Sequence, residues 1–188
     1  MTYAQIKQLA LQQLDEDPAD MAEFGEMLGM YVNEGYQTAL LDHLRPKETY
    51  TLSTNEDGDA NIEGLGIVKV ADVREAEHGY SAWATLSGMG DKLHTAVKDG
   101  KIKVLAIVTK KDMVLEGDVP QIPEWAHSAL ADYACFRFLS NGNMAKQSRA
   151  QFYYQRFATA MQRIMPQGSG SVTGYRNLYA VTDARWTR

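Results

Sequence analysis

Residues 132–157, "DYACFRFLSNGNMAKQSRAQFYYQRF", decide how this chain is read. The stretch holds the one cysteine, Cys135, among aromatic and basic side chains, and is broken once by Asn141-Gly142-Asn143. Such a composition suits an active site, a nucleic-acid groove, or two helices folded back on each other. Spacing separates these. Ala150, Tyr153, Tyr154, Phe157, Ala160, Met161 and Ile164 recur at intervals of three and four, the period of one helix face. Upstream, Trp125, Ala129, Tyr133, Phe136 and Ser140 trace another such face. Gly142 suits the left-handed position that ends a helix, and Asn143 can cap the next one. The stretch therefore reads as an αα-hairpin whose aromatics belong to a core or an interface rather than a base-stacking platform.

Working outward, Pro123 and Glu124 start the first helix of this hairpin, with Pro at a first-turn position and an acid favouring the dipole. At the other end of the chain, Thr2 and Gln5 form a capping box for a short helix over 2–14, with Ile6, Leu9, Ala10 and Leu14 on one face. Asp17-Pro18 restarts a second helix, expected to run to Leu44, where Arg45-Pro46 stops it. Its stripe is Met21, Phe24, Leu28, Tyr31, Val32, Ala39 and Leu40. Gly25, Gly29 and Gly35 weaken it unless they serve close packing.

Residues 48–110 change character. Glu48–Thr54, Ile67–Glu75, Tyr80–Leu86, Lys92–Ala96 and Lys101–Thr109 read as strands, and Asn55–Gly66 as a turn-rich loop. Asp99-Gly100 is the strongest hairpin signal and is expected to join the last two strands. The expected fold is α+β and mainly α: two N-terminal helices and a C-terminal αα-hairpin forming a bundle, with a small inserted antiparallel sheet of four to five strands. The body spans 1–165. Residues 166–188 open with "PQGSGSVTG", a flexible-linker composition, and continue as "YRNLYAVTDARWTR". They read as a C-terminal arm that orders on a partner. Tyr175, Tyr179 and Trp186 are its anchors, and Arg176, Arg185 and Arg188 supply charge-assisted bonds.

Charge is segregated along the chain. Residues 1–65 carry 3 basic and 13 acidic side chains, whereas 120–188 carry 8 and 3, within a net charge of -5. The two thirds can neutralise each other within one fold or across a contact between copies. For the second case Arg149, Arg156 and Arg163, seven residues apart, are the candidates. Overall acidity argues against general nucleic-acid affinity, although a locally basic surface can still face DNA. No apolar run reaches membrane-spanning length and no secretory leader is visible.

The residues that suggest chemistry have structural explanations. Cys135 and His127 lie two helical turns apart, too far for a nucleophile and its base, so Cys135 reads as a buried, inert thiol. His43, His78, His94 and His127 lack ligand spacing. Asn55, Asp57, Asp59, Asn61 and Glu63 alternate like a calcium loop, but the glycine at 58 and the glutamate at 63 are misplaced for one. Gly64-Leu65-Gly66 leads into no phosphate-binding motif. Asp15, Glu16, Asp17 and Asp20 sit at helix starts. No catalytic residue, cofactor or metal is expected.

The opening "MTYAQIKQLALQQLDEDPADMAEFGEMLGMYVNEGYQ" and "IPEWAHSALADYACFRFLSNGNMAKQSRAQFYYQRF" resemble helices of the head-to-tail connector (adaptor) proteins of tailed bacteriophages. The resemblance covers nearly the whole chain in order of elements and is loose in the sheet. It implies a non-enzymatic virion protein at the head–tail junction, made in the host bacterial cytoplasm. It implies a homo-oligomeric ring, commonly twelve-fold, beneath the portal protein, with C-terminal arms docked on the portal. A downstream tail or nozzle protein sits below, and DNA passes through the lumen without specific binding. A tail-completion or tail-tube component, or a non-ring module that binds one protein through its arm, remains an alternative.

Overall fold

The computed structural model describes residues 1–88, 90–140 and 144–164. The expected arm, with Tyr175, Arg176, Tyr179, Arg185, Trp186 and Arg188, and the Asn141-Gly142-Asn143 turn lie outside them. The described chain is mixed α+β and divides into two compact units, one of residues 1–44 and 109–164, the other beginning with 45–108.

The first unit is helical. Helix α1 spans Tyr3–Gln13 and begins with the expected capping box: the Thr2 hydroxyl accepts from the Gln5 amide at 3.3 Å, and the Gln5 side chain accepts from the Thr2 amide at 2.9 Å. Asp17 caps the restart, accepting from the Ala19 amide at 2.8 Å, but Pro18–Asp20 form a 3-10 turn. Helix α2 covers Met21–Thr38 and gives way to a π-helical turn at Ala39–Leu44. The helix does end before Pro46, and Arg45 leaves it at a left-handed φ of 49°. A 3-10 turn at Glu124–Ala126 leads into α3, His127–Leu139, and α4 follows at Met144–Met161.

One core joins these helices. Ile6, Ala10, Leu28, Val32, Tyr36, Leu40, Leu130, Cys135, Tyr153, Phe157 and Met161 are all buried in it. The Tyr133 ring meets Phe157 edge-on at 4.8 Å. Two of the suspect glycines are explained by close approach. A Cβ on Gly29 would lie 2.3 Å from the Tyr3 hydroxyl oxygen, and one on Gly35 would lie 2.9 Å from the Tyr133 ring. The expected stripe residues are buried or half-buried except at two positions, and the stripes left out Tyr3, Leu11 and Tyr36, which are buried as well. Trp125 is 50% exposed, because the first turn of its helix is 3-10 and rotates it off the α3 face. Tyr154 is 48% exposed at the edge of the α4 stripe.

The second unit holds two three-stranded antiparallel sheets rather than one. In the first, β1 (Lys47–Ser53) and β3 (Ile67–Glu75) flank the central β6 (Lys101–Val108). In the second, β2 (Asp59–Asn61) and β4 (Ala84–Leu86) flank β5 (Lys92–Thr95). Ala60, Ile62, Val73, Leu93, Ile102, Val104, Ala106 and Val108 form their shared core.

The expected hairpin at Asp99-Gly100 does not form, because β5 and β6 belong to different sheets. The turn's backbone is committed elsewhere. The Gly100 carbonyl accepts from the Thr54 amide, and the Asp99 amide donates to the Asn55 carbonyl. The chain therefore crosses between sheets there, with Asp99 at φ 46°. Strand β2 lies inside what reads as a loop. Asn55 folds that loop, its side-chain oxygen accepting from the Asp57 and Asp59 amides, which leaves three residues to pair with β5. Gly58 is held at φ 85° with space only for hydrogen, since a Cβ would lie 2.3 Å from the Thr95 carbonyl oxygen. The expected strand over 80–86 shrinks to β4 preceded by an isolated bridge between Arg74 and Ser81.

Candidate functional site

Of the three arginines singled out by their seven-residue spacing, Arg149 and Arg156 lie on α4 and bond within their own chain, and Arg163 lies in the turn just after it. Arg149 donates to the Asp15 carboxylate at 2.9 Å and to the Gln13 carbonyl at 3.2 Å. Tyr153 donates its hydroxyl to the same carbonyl at 2.6 Å. Together they satisfy the C-terminal end of α1, where carbonyls lack helical partners and a cation meets the negative end of the dipole. Here the acidic and basic thirds of the sequence meet intramolecularly.

Arg156 stands 3.3 Å from the Asp132 carboxylate. Asp132 is only 4% exposed, and its Oδ1 has no well-aligned hydrogen bond. Burial pushes its carboxyl up to about 6, with Arg156 and a hydrogen bond with the Gln13 side chain pulling the other way. Arg156 also lies over the Phe152 and Tyr153 rings, at 5.7 and 6.0 Å. Arg163 makes no ion pair to a described residue. It lines, with Asp132, Phe152, Arg156 and Thr159, an open groove of about 400 Å³ between α3 and α4.

Cys135 packs beneath this cluster with its thiol against the Ala10 carbonyl at 3.4 Å and the Gln13 side chain at 3.3 Å. It is fully buried, and burial, aided by the Asp132 charge, pushes its thiol up to about 12. A group so reluctant to ionise is a poor nucleophile. His127 is 1% exposed. Its Nε2 donates to the Ile122 carbonyl at 3.0 Å, which leaves Nδ1 to accept from the Met1 amino group at 2.8 Å. His94 pairs with Asp59 at 2.7 Å and His78 with Glu75 at 3.4 Å, both on the surface of the second unit. Among the described residues no three His, Cys, Asp or Glu side chains come together to hold a metal. No described helix is long and apolar enough to cross a membrane.

The surface of α4 is the feature with most capacity for recognition. It exposes Phe152 at 56% beside Arg156 and Arg163, a pairing of aromatic and guanidinium groups typical of interface anchors. The buried Asp132 was missed by the sequence reading, although its spacing, three residues after Ala129 and four before Phe136, puts it on the apolar face of α3. No family model matches this chain, and no curated protein matches it.

Proposed function

We propose that this chain is a structural assembly protein, the ring-forming head-to-tail adaptor of a tailed bacteriophage. In this reading it sits beneath the portal of the virion and links the DNA-filled head to a tail or nozzle protein. The resemblance of its first and last helices to connector proteins motivates the reading. The observation that carries it is one flank of α4 and the turn after it, where Phe152, Arg156 and Arg163 stand exposed along the same groove while the face of the helix bearing Tyr153 and Phe157 is used in the core. A ring requires heterologous contact, one face of a copy against a different face of the next. The α4 face and the acidic segment from Glu16 to Glu26 are the complementary pair. Arg149 and Arg156 already have partners in their own chain, so Arg163 is the purest candidate for a contact between copies.

In the same reading residues 166–188 form the arm that docks on the portal, with Tyr175, Tyr179 and Trp186 as anchors and Arg176, Arg185 and Arg188 as charged contacts. Ordering such a segment costs several kcal/mol, which a ring offsets by holding the remaining arms at high local concentration once one has docked.

The test is the mass of the full chain in solution and its location in purified particles by electron cryo-microscopy. A ring at the head–tail junction supports the proposal. A protein that stays monomeric and is missing from particles refutes it. Deleting residues 170–188 is expected to leave a folded body that no longer attaches to portal. Infectious particles at normal yield with the truncated protein would remove the arm from the mechanism.

A further inference from the structure

The first sheet of the second unit has one face in the core; the other is half-buried at Leu105 and Ile107 of β6 and exposed at its Lys101–Lys103 end, and the exposed part is cationic. Residues directly opposite each other in an antiparallel pair share a face. Lys103 on central β6 is opposite Thr51 on β1 and Arg74 on β3, while Lys101 is opposite Ser53, and Lys69 is in register with Ile107. Thr51, Ser53, Lys69, Arg74, Lys101 and Lys103 are all exposed. Within these three strands Asp72 is the sole carboxylate in register with this face, and Arg74 binds it at 2.7 Å. The other carboxylates of these strands, Glu48 and Glu75, are opposite core-facing Ala106 and Ile102.

This segregation is unusual for the chain that carries it. Residues 45–108 hold eight basic and ten acidic side chains, an acidic balance, yet four of the eight basic ones, Lys69, Arg74, Lys101 and Lys103, stand on this face against one carboxylate. Solubility alone does not account for it. Lysines protect the edges of sheets from unwanted pairing, but Lys101 and Lys103 lie on the central strand. Lys103 also faces Arg74 directly, a like-charge pairing that a sheet selected for stability avoids.

We infer that this face is a contact surface for the phosphodiester backbone of nucleic acid, bound without regard to sequence. Lysine and arginine interleaved with serine and threonine are the groups that take phosphate contacts. Protein interfaces, by contrast, are depleted in lysine and rely on aromatic anchors, of which this face has none. Side chains two residues apart on β6 stand about 6.6 Å apart, close to the roughly 6.8 Å axial rise of two phosphates along one DNA strand. With few contacts and an acidic protein behind them, binding is weak and salt-sensitive. The inference stands whether or not the chain forms a ring.

The test is fluorescence anisotropy of a labelled DNA duplex of about 20 base pairs and arbitrary sequence, titrated with the full chain at rising salt. Wild type is expected to bind at roughly 50 mM salt, with log K falling linearly in log salt. The double variant K101E/K103E should weaken binding at least about tenfold and reduce the slope by about 2, one counterion-releasing contact per lysine. K101Q/K103Q, with circular dichroism to check the fold, repeats the measurement without charge reversal. Comparison of wild type with either variant separates this face from the basic C-terminal third. Wild type that does not bind at low salt, or variants that bind with the wild-type slope, would overturn the inference. Tighter binding of polyglutamate than of DNA at matched charge would overturn it too, and give the face to an acidic protein.

Discussion

Replacing Asp132 with Asn should stabilise this protein at neutral pH, and the gain should vanish in acid. The carboxyl is almost wholly buried in the α3–α4 contact, and burial raises it from 3.8 in the unfolded chain to about 6 in the folded one. The folded-state value is above the unfolded one, so the folded state binds the proton more tightly. Below pH 4 both states are protonated and the group contributes nothing to pH dependence. Between pH 4 and 6 the unfolded chain ionises while the folded one holds its proton, so stability falls as pH rises. Above pH 6 the full cost of the buried charge is present. A shift of roughly two pH units corresponds to about 3 kcal/mol, an upper figure because solvent reaching the groove beside half-exposed Arg156 relaxes around the charge and lowers its cost. Asn keeps the shape and removes the charge. Urea unfolding followed by circular dichroism at steps from pH 4 to 8, in wild type and Asp132→Asn, isolates this group from the other carboxylates. The difference should grow from near zero at pH 4 to about 1–3 kcal/mol at pH 7 in favour of the variant. A difference that is flat with pH, or one that favours wild type above pH 6, would show that Arg156 and Gln13 compensate the charge fully.

Further outcomes follow from packing. Gly29→Ala pushes a methyl into the Tyr3 ring and should cost about 1–3 kcal/mol despite better helix propensity. Gly25→Ala meets only the flexible Met21 side chain, at 3.1 Å, so chemical denaturation should find it neutral or up to about 1 kcal/mol more stable. Phe157→Ala empties a buried site against Tyr133 and should cost about 3–5 kcal/mol; an unchanged melting temperature would contradict the assigned core. Cys135 should resist thiol reagents in the native state and react only as fast as the protein opens, so rapid labelling of folded protein at pH 8 would refute its burial.

The helices were readable because each carries its signals locally. Thr2 with Gln5, Asp17 with Pro18, and Pro123 mark starts, and the three-and-four spacing of Ala150 to Ile164 marks a face. The sheets were readable as strands but not as an arrangement. Asp99-Gly100 has the composition of a hairpin turn, and no local rule says that its backbone bonds to Thr54 and Asn55, more than forty residues earlier in the chain. Strand β2 hid in polar sequence because its identity comes from pairing with β5, a non-local fact. Arg149 and Arg156 looked available on a helical projection. Their partners Asp15 and Asp132 sit on other elements, and only packing reveals that these charges are already engaged.

The helical unit is discontinuous in sequence, and this has a consequence for how the chain is made. The Tyr3 and Ala4 amides donate to the Asp118 and Glu116 carbonyls, and the Ala10 and Leu11 side chains share a core with Phe157 and Met161. A ribosome delivers residues from the N-terminus at about 5–20 per second. The first two helices therefore emerge many seconds before the last two that cover their apolar faces. The sheet unit, whose paired strands all lie within residues 45–108, has everything it needs much sooner. During synthesis it can form while Leu28, Val32 and Leu40 still face water, a window in which chaperone capture or pairing with another nascent copy competes with folding.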